Sequence, residues 1–270
     1  MVEIERISLS RLDQYAFLLR SVFQKKFLTP EYLQWQYIDN PCGSAVGFDA
    51  ISEGMVVAHY ACIPIQIGMK SQPFLLSLNT ATTPRFQGQG LFKRLALSTY
   101  EDSSKRFQGV IGVANQNSFP GFIRSLGFHH LGNLDLRLGQ LSRPETELDE
   151  VRYSSEYLTW RTSSPRGGFS TLKLDHGSIV KRKVSRFLPK LETYVPGDDL
   201  HKGVDDLREV QGRVALTLDW TSSKIWKRGI LLPERLKPSP LHLIYRDLAH
   251  RSQTSESPLT RFTFLDFDAF

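Results

Sequence analysis

A seven-residue segment between a predicted strand and a predicted helix places the strongest constraint on how this chain folds. The segment is Pro84-Arg85-Phe86-Gln87-Gly88-Gln89-Gly90, and it follows an apolar stretch at 74–83. From Leu91 onward the apolar residues have helical spacing. Glycine allows positive φ and close approach of a ligand, and free N–H groups at a helix start attract phosphate oxygens. The segment therefore predicts a strand–loop–helix unit that binds a phosphate-bearing molecule.

The elements predicted around this segment mix helices with strands. Their order along the chain is two helices within 8–37, a hairpin at 46–51 and 55–63, a strand at 74–83, a helix from 91 to about 105, a strand at 109–114, a short helix at 117–126 and a strand at 128–138. This order favours an α/β (α+β) class with a mixed, mostly antiparallel central sheet flanked by helices.

A five-residue pattern occurs twice in the chain. Glu31-Tyr32-Leu33-Gln34-Trp35 has a counterpart in Glu156-Tyr157-Leu158-Thr159-Trp160, and a Pro-x-Gly follows each tryptophan within a few residues. The repeat predicts an internal duplication, with a boundary in the polar stretch 140–150. We expect a first domain at 1–140 and a second, degenerate copy at 151–270, which lacks the glycine loop. Both tryptophans are expected to be packing residues.

The net charge of +6 is confined to the second half of the chain. Residues 151–270 contain 20 Lys and Arg against 14 Asp and Glu, and the densest run is Lys181-Arg182-Lys183 with Arg186 and Lys190. A solvated basic face is one interpretation, and attraction of an anionic acceptor, a nucleic acid or a membrane surface is the other. Because no nucleic-acid-binding module surrounds the run, the sequence disfavours a nucleic-acid partner.

The chain shows no targeting or membrane pattern. Its N-terminal residues lack the order of a signal peptide, and no stretch approaches the ~18 apolar residues of a membrane span. Cys42 and Cys62 form neither a disulfide framework nor a zinc site, and Cys62 is expected to be an inert thiol. We therefore expect a cytoplasmic protein with no membrane partner and no metal, and the sequence leaves its oligomeric state open.

Three motifs resemble one known family. Arg85-x-x-Gly88-x-Gly90 resembles the acyl-coenzyme A signature of the GNAT superfamily of N-acetyltransferases. Asn115-Gln116-Asn117-Ser118 and Leu126-Gly127-Phe128 resemble the start and the end of a later helix of that family. The resemblance covers about 1–140, and tandem members are known in the superfamily.

The resemblance implies a co-substrate and a site. An acyl-coenzyme A, acetyl-coenzyme A by default, would lie along the strand before the loop, with its pyrophosphate on the loop and its thioester carbonyl where two strands separate. A small amine, with an anionic or nucleotide-linked acceptor as one option, would attack the thioester directly in a ternary complex. The implied coenzyme-binding residues are Thr80, Ala81, Thr82, Thr83, Arg85, Phe86, Gln87, Gly88, Gln89, Gly90, Leu91, Asn115 and Asn117.

The sequence departs from the family at the catalytic positions. The usual acidic tyrosine aligns with Phe122 or Ile123, and the strand at 74–83 has no carboxylate. His59 and Asn79 are the candidate catalytic residues, with a packed core histidine as the alternative for His59. Tyr60, Glu53, Asp39 and a water-mediated base remain open. Asp266 and Asp268 are expected to form a solvent-facing acidic row on a C-terminal strand at 262–267, rather than a metal site.

Two other function classes remain open. The missing tyrosine and carboxylate fit a non-catalytic coenzyme A-binding or scaffold protein. The basic run at 173–190 fits an anion- or nucleic-acid-binding module. An enzyme would release free thiol from acetyl-coenzyme A, whereas a binding protein would only be stabilised by it, and a nucleic-acid module would bind in a salt-dependent way.

Overall fold

The computed structural model describes residues 1–67, 72–140, 153–184, 188–196, 214–221, 229–236, 240–248, 259 and 261–267. Short 3-10 turns lie at Leu9–Arg11, Pro84–Phe86 and Glu234–Leu236. The helices and strands of the described residues follow in chain order: β1 Glu3–Arg6, α1 Leu12–Phe23, α2 Pro30–Tyr37, β2 Val46–Ser52, β3 Met55–Ile67, β4 Gln72–Thr82, α3 Leu91–Ser103, β5 Gly109–Ala114, α4 Phe119–Leu126, β6 His129–Asn133, β7 Asp135–Gln140, α5 Ser155–Thr162, β8 Phe169–Lys173, β9 Gly177–Arg182, β10 Leu191–Pro196, β11 Val214–Thr221, β12 Ile230–Leu231, β13 His242–Asp247 and β14 Arg261–Thr263.

The strands form two sheets. The first has the order β1-β2-β3-β4-β5-β13-β6, and the second has the order β12-β7-β11-β10-β9-β8, with β14 paired to β11. The β4–β5 and β10–β11 pairs are parallel, and the other described pairs are antiparallel. The predicted mixed, mostly antiparallel α/β architecture is therefore confirmed.

The two halves of the chain exchange a strand. β7 precedes the predicted boundary but pairs with β11 of the second sheet, and β13 follows the boundary but pairs with β5 of the first. β7 runs antiparallel to β11, and β11 is also the parallel partner of β10. In the same way, β13 runs antiparallel to β5, and β5 is also the parallel partner of β4. The division into 1–140 and 151–270 stays a prediction, and the sheets cross it. The polar stretch 141–150, where the boundary was expected, lies outside the described residues.

The repeated sequence pattern forms matching helices. α2 is capped by the Thr29 hydroxyl, which accepts from Tyr32 N, and α5 is capped by the Ser154 hydroxyl, which accepts from Tyr157 N. At the contact of the two helices, Trp35 Nε1 donates to the Trp160 carbonyl at 2.9 Å, and Trp160 Nε1 donates to the Trp35 carbonyl at 2.8 Å. Such reciprocal bonds are typical of two elements related by a two-fold axis. They support the predicted duplication.

Apolar side chains fill both faces of the first sheet. α1 and α2 pack on one face, and that core continues through the tryptophan pair into the second sheet. α3 and α4 pack on the other face around Tyr60, Leu95 and Phe122. No helix within the described residues is both long and apolar enough to pass through a membrane. The cytoplasmic location stays a prediction.

Two strand predictions were wrong. The predicted strand at 128–138 is two strands, because the chain passes from the first sheet to the second at Leu134. The predicted strand at 262–267 ends at Thr263, and residues 264–265 form a turn. The Asp266 carboxylate accepts a hydrogen bond from the Thr263 N–H at 2.6 Å and so folds the chain back. Asp266 is therefore buried and not part of a solvent-facing row, and Asp268 lies outside the described residues.

Candidate functional site

The glycine loop is exposed and has the conformation that its glycines allow. Gly88 and Gly90 have φ of +77° and +71°, and a Cβ atom at either position would meet nothing within 4 Å. Gly90 is the N-cap of α3, and its cap position carries no side-chain hydrogen bond. The loop therefore presents open backbone at the positive end of a helix dipole.

The amide groups available to a ligand form a narrower set than the sequence predicted. Phe86 N donates to the Thr83 carbonyl and Gln87 N donates to the Pro84 carbonyl, because Pro84–Phe86 is a 3-10 turn. Among the described residues, the N–H groups of Gly88, Gln89 and Gly90 donate to no backbone carbonyl. The first amides of α3, from Leu91, have no intrahelical acceptor. The amides of Phe86 and Gln87 are thus engaged within the turn, and the amides at 88–91 are the ones open to a ligand.

The charges around the loop are positive. The first turn of α3 contains no acidic residue, and Lys93 and Arg94 are exposed there. Arg85 is exposed at the loop and its guanidinium lies 5.9 Å from the centre of the Phe86 ring. Cations at a helix N-terminus oppose the helix dipole, so their presence favours an anionic ligand at this position over a purely structural role.

β4 has an irregularity next to the loop. Against β3, His59 is opposite Ala81 and Ala61 is opposite Leu78, so Asn79 and Thr80 face the single residue Tyr60. Asn79 has a left-handed φ of 50°, which asparagine tolerates better than most residues. This is a β-bulge, a device that redirects side chains beside functional sites.

β4 and β5 separate at the bulge. Their parallel pairing runs from Leu75 and Val110 to Ser77 and Gly112. Beyond Ser77, no described strand pairs with the edge of β4 that faces β5. Thr80, Thr82 and Thr83 are half-buried on this segment and Ala81 is buried. The structure thus contains the free strand edge on which the resemblance places the pantetheine arm.

Asn115 and Asn117 lie at the end of β5. The Asn115 side-chain oxygen accepts from the N–H groups of Asn117 and Ser118, at 3.0 and 2.9 Å, and so caps the turn into α4. Asn115 therefore shapes the loop, while Asn117 is exposed. Phe122, one of the two residues that align with the family's tyrosine, is a core residue packed against Phe92.

A cavity of about 550 Å³ begins where β4 and β5 separate. On one side it is lined by the residues around the bulge and the end of β5, among them Ser77, Asn79, Asn115 and Asn117. On the other side its wall comes from the second half of the chain. Those residues are Tyr157, Trp160, Arg161, Leu241, Asp266 and Phe267. The volume is in the range of small-molecule sites.

His59 lies in the core and not on the cavity wall. It is fully buried, with Nδ1 2.7 Å from Asp49 Oδ1 and Nε2 2.8 Å from the Tyr37 hydroxyl. Tyr15 stacks on its ring and donates to Asp49 Oδ2 at 2.7 Å. With both nitrogens engaged and no exposed surface, His59 has the contacts of the packed core histidine that was the alternative.

Asn79 connects this buried group to the cavity. Its Nδ2 donates to Gln36 Oε1 at 2.6 Å and to the Tyr37 hydroxyl at 3.0 Å. Gln36 Nε2 in turn donates to the Tyr32 hydroxyl at 3.2 Å. The Asn79 Oδ1 atom accepts no hydrogen bond from the described residues. The network fixes the amide so that a free acceptor atom remains on a cavity residue.

Two buried ionisable residues on the cavity wall were not identified as site residues from the sequence. Asp266 accepts from the Tyr153 hydroxyl at 3.0 Å, and burial raises the pKa of its carboxyl to about 6. Arg161 is 3% exposed and donates to the Phe267 carbonyl through Nη2. The only sequence signal for Arg161 was its position directly after the repeated pattern.

Burial raises the pKa of the Cys62 thiol to about 12, as expected for an inert thiol.

Comparison with known proteins concerns the fold. No protein-family model matches the sequence, and no curated protein matches it. A GCN5-related N-acetyltransferase from Anabaena variabilis superimposes with a TM-score of 0.60 at 11% identity, over 92% of this chain and 73% of its own. A conserved protein of unknown function from Enterococcus faecalis, described as a candidate N-acyltransferase, gives 0.58 at 10% identity with the same coverage.

A third structure covers nearly the whole of both chains. A candidate acetyltransferase from Pyrococcus horikoshii superimposes with a TM-score of 0.52 at 9% identity, over 97% of this chain and 93% of its own. These likenesses extend across both sheets and so include the half that lacks a glycine loop. The chain therefore has the fold of the GNAT, or GCN5-related, N-acetyltransferases, as the motifs at 85–90, 115–118 and 126–128 indicated.

Proposed function

We propose that the protein is an acyl-coenzyme A-dependent N-acyltransferase, with acetyl as the default acyl group. The observation that carries the proposal is the arrangement of β4. Its edge is free beyond Ser77, it has a bulge at Asn79, and it continues into an open glycine loop at a helix N-terminus. A thioester at the bulge and a diphosphate at the loop would be bound by one continuous strand. The shared fold supports the same assignment.

The donor would be bound mainly by backbone. The pantetheine arm would pair with the free edge of β4 at Thr80–Thr83 in the manner of an added strand. The diphosphate would accept hydrogen bonds from the N–H groups at 88–91, with the positive charges of Arg85, Lys93 and Arg94 beside it. This mode needs no metal ligand from the protein.

The acceptor amine would attack the thioester carbonyl carbon directly. The new C–N bond forms as the C–S bond breaks, and the thiolate leaves with the electron pair. A thiol has a pKa near ~8.5, so the leaving group needs little assistance. The proton released by the amine would pass to the thiolate through water. A backbone N–H near the bulge would stabilise the negative charge that develops on the carbonyl oxygen.

Asn79 and His59 would have different roles in this reaction. Asn79 would contact the acceptor, because its free Oδ1 is suited to accept a hydrogen bond from the attacking amine. His59 would act as a positioning residue, because it reaches the cavity only through Tyr37. Direct proton transfer to His59 is not part of the proposal, since the imidazole is 0% exposed.

The acceptor is proposed to be a small amine held between the two halves of the chain. The cavity wall contributed by Tyr157, Arg161 and Asp266 would define its shape and polarity. A nucleic-acid role for the basic run has less support. Arg182 is buried under the Phe169 ring, and Lys181 lies 3.7 Å from Glu192.

The test is thiol release from acetyl-coenzyme A in the presence of a panel of primary amines. An N-acyltransferase releases free thiol only when an accepted amine is present, and the acylated amine is recovered in equal amount. A non-catalytic binding protein is stabilised by acetyl-coenzyme A but releases no thiol with any amine. Stabilisation without turnover across the panel would favour that second function.

A further inference from the structure

The wall of the cavity that faces the bulge contains a buried guanidinium. Arg161, on α5, is 3% exposed and lines the cavity that begins at Ser77 and Asn79. Its Nη2 donates to the Phe267 carbonyl, and its Nε has no hydrogen-bond partner. Within the part of the chain that the structure describes, no carboxylate forms an ion pair with it.

Neighbouring aromatic rings hold the guanidinium in place. Its central carbon lies 5.7 Å from the centre of the Trp35 ring and 6.0 Å from that of Trp160. These are the tryptophans whose reciprocal hydrogen bonds join the two repeats. The cation is therefore fixed by the packing of the two halves, and it does not have the freedom of a surface arginine.

The acid on the same wall interacts with this cation through its charge, since Arg161 acts to lower the pKa of Asp266, but the two form no ion pair. Asp266 lines the same cavity, but its carboxylate already accepts from the Tyr153 hydroxyl and the Thr263 N–H. The other charged residue on the described wall is Lys25, which is exposed and also positive. A buried cation without an ionic partner is costly, and proteins keep such groups mainly where a ligand supplies the partner.

We propose that the acceptor amine carries an anionic group, a carboxylate or a phosphate, which pairs with Arg161 inside this cavity. The proposal rests on the proposed N-acyltransferase function and adds the substrate class to it. The amine would lie at Asn79 beside the thioester, and the anionic group would lie at the opposite wall. The planar guanidinium matches both carboxylate and phosphate oxygens.

The test uses pairs of amines that differ only in the anionic group. β-Alanine with ethylamine tests a carboxylate, and phosphoethanolamine with ethanolamine tests a phosphate. The readout is kcat/KM for thiol release from acetyl-coenzyme A. We expect the anionic member of at least one pair to be preferred by about tenfold or more, as a charge-assisted hydrogen bond implies. The preferred pair distinguishes carboxylate from phosphate.

Two substitutions assign the preference to this residue. Arg161→Gln should reduce the preference to near unity, and Arg161→Lys should retain part of it. Arg124→Gln removes the same charge from the exposed surface of α4 and should leave the preference unchanged. If Arg161→Gln does not fold, the comparison of Arg161→Lys with the wild-type protein gives the same information.

The outcomes separate this proposal from the proposed function. If acetyl-coenzyme A does not stabilise the protein, the N-acyltransferase assignment itself fails. If acetyl-coenzyme A binds but no anionic amine is used better than its neutral partner, only the anionic acceptor is overturned. The anionic acceptor is also overturned if acetyl-coenzyme A binds and none of the tested amines is acylated. A preference that survives in Arg161→Gln also overturns it.

Discussion

At the scale of single residues, the Tyr37 hydroxyl joins the core to the site. It lies 2.8 Å from His59 Nε2 and accepts from Asn79 Nδ2 at 3.0 Å. Its ring is fully buried, and burial raises the pKa of the phenol, so it stays neutral. The geometry of Asn79 therefore depends on a hydroxyl that is not part of the cavity wall.

Tyr37→Phe tests this dependence. The substitution keeps the ring but leaves His59 and Asn79 each without one partner, so we expect a loss of about 1–3 kcal/mol in unfolding free energy. Because Asn79 loses one of the two hydrogen bonds that orient its amide, kcat should fall by about ten- to a hundredfold while the KM for acetyl-coenzyme A changes little. Steady-state kinetics and urea unfolding measure both effects.

A second buried tyrosine provides the control. Tyr100→Phe also removes a buried hydroxyl, which lies 2.6 Å from that of Tyr60, but Tyr100 has no contact with Asn79. It should lower stability with a smaller effect on kcat. Equal losses of kcat in the two variants would show that the Tyr37 hydroxyl acts only through general stability.

Asp266 predicts a pH dependence of stability. Burial raises the pKa of this carboxyl to about 6 in the folded chain, above the ordinary value of 3.8. The folded state therefore binds more protons than the unfolded state between these values, so this residue's contribution to stability falls as the pH rises through that range. Asp266→Asn should remove the effect. The melting temperature of Asp266→Asn minus that of the wild type should increase from about pH 4 to about pH 6. A difference that does not change with pH would contradict the raised pKa of Asp266.

The sequence predicted the exposed glycine loop but did not identify Arg161 and Asp266 on the cavity wall. Gly88 and Gly90 are adjacent in the chain to the strand and helix that give them their role, so a local pattern identifies them. Arg161 acquires its role from Trp35 and Phe267, which are distant in sequence. His59 was named as a candidate from its intrinsic chemistry, and its burial depends on packing that a local pattern does not specify.

At the scale of elements, the contact between α2 and α5 holds the two repeats together. Each tryptophan both donates to the other's carbonyl and stacks on its ring, with centroids 4.8 Å apart and planes inclined by 18°. The contact is buried on both sides, with Trp35 4% and Trp160 6% exposed. Both tryptophans therefore contribute equivalent interactions to the same contact.

This symmetry predicts coupled mutational effects. Trp35→Phe and Trp160→Phe should each destabilise the protein by a similar amount, about 1–3 kcal/mol, because each removes one indole donor from a buried carbonyl. The double variant should cost less than the sum of the two, since the second change acts on a contact already disrupted. Urea unfolding of the four proteins measures this cycle. Strict additivity would contradict a shared contact.

The strand exchange was not predictable from the sequence. β7 and β13 are each six residues long, with alternating apolar residues in β7 and adjacent ones in β13, and neither pattern specifies which sheet the strand joins. The element types near the glycine loop were predictable because their periodicity and caps are local. Which sheet a strand joins depends on long-range pairing, which composition and spacing do not encode.

At the scale of the whole molecule, both halves of the chain contribute to one cavity and to one continuous core. The free edge of β4 and the glycine loop belong to the first half of the chain, while the second half contributes Tyr157, Trp160, Arg161, Leu241, Asp266 and Phe267 to the cavity wall. The core continues across the tryptophan pair from one sheet to the other. A ligand that spans the donor strand and the cavity would therefore stabilise both halves together.

In the proposed function, the loop at 88–91 binds the diphosphate of an acyl-coenzyme A. Thermal denaturation with acetyl-coenzyme A at a hundred times its dissociation constant should show about 2.7 kcal/mol of added stability, which is a shift of roughly 5 °C or more. Gly90→Glu should abolish the shift, because it places a side chain and a negative charge in the open space that the ligand would fill.

Gly54→Glu is the matched control for this measurement. Gly54 has a φ of +75°, against +71° for Gly90, and a Cβ atom there also meets nothing within 4 Å. The two variants therefore carry the same backbone strain and the same added charge. The account predicts that the shift persists in Gly54→Glu and disappears in Gly90→Glu; no shift in the wild-type protein, or an undiminished shift in Gly90→Glu, would contradict it.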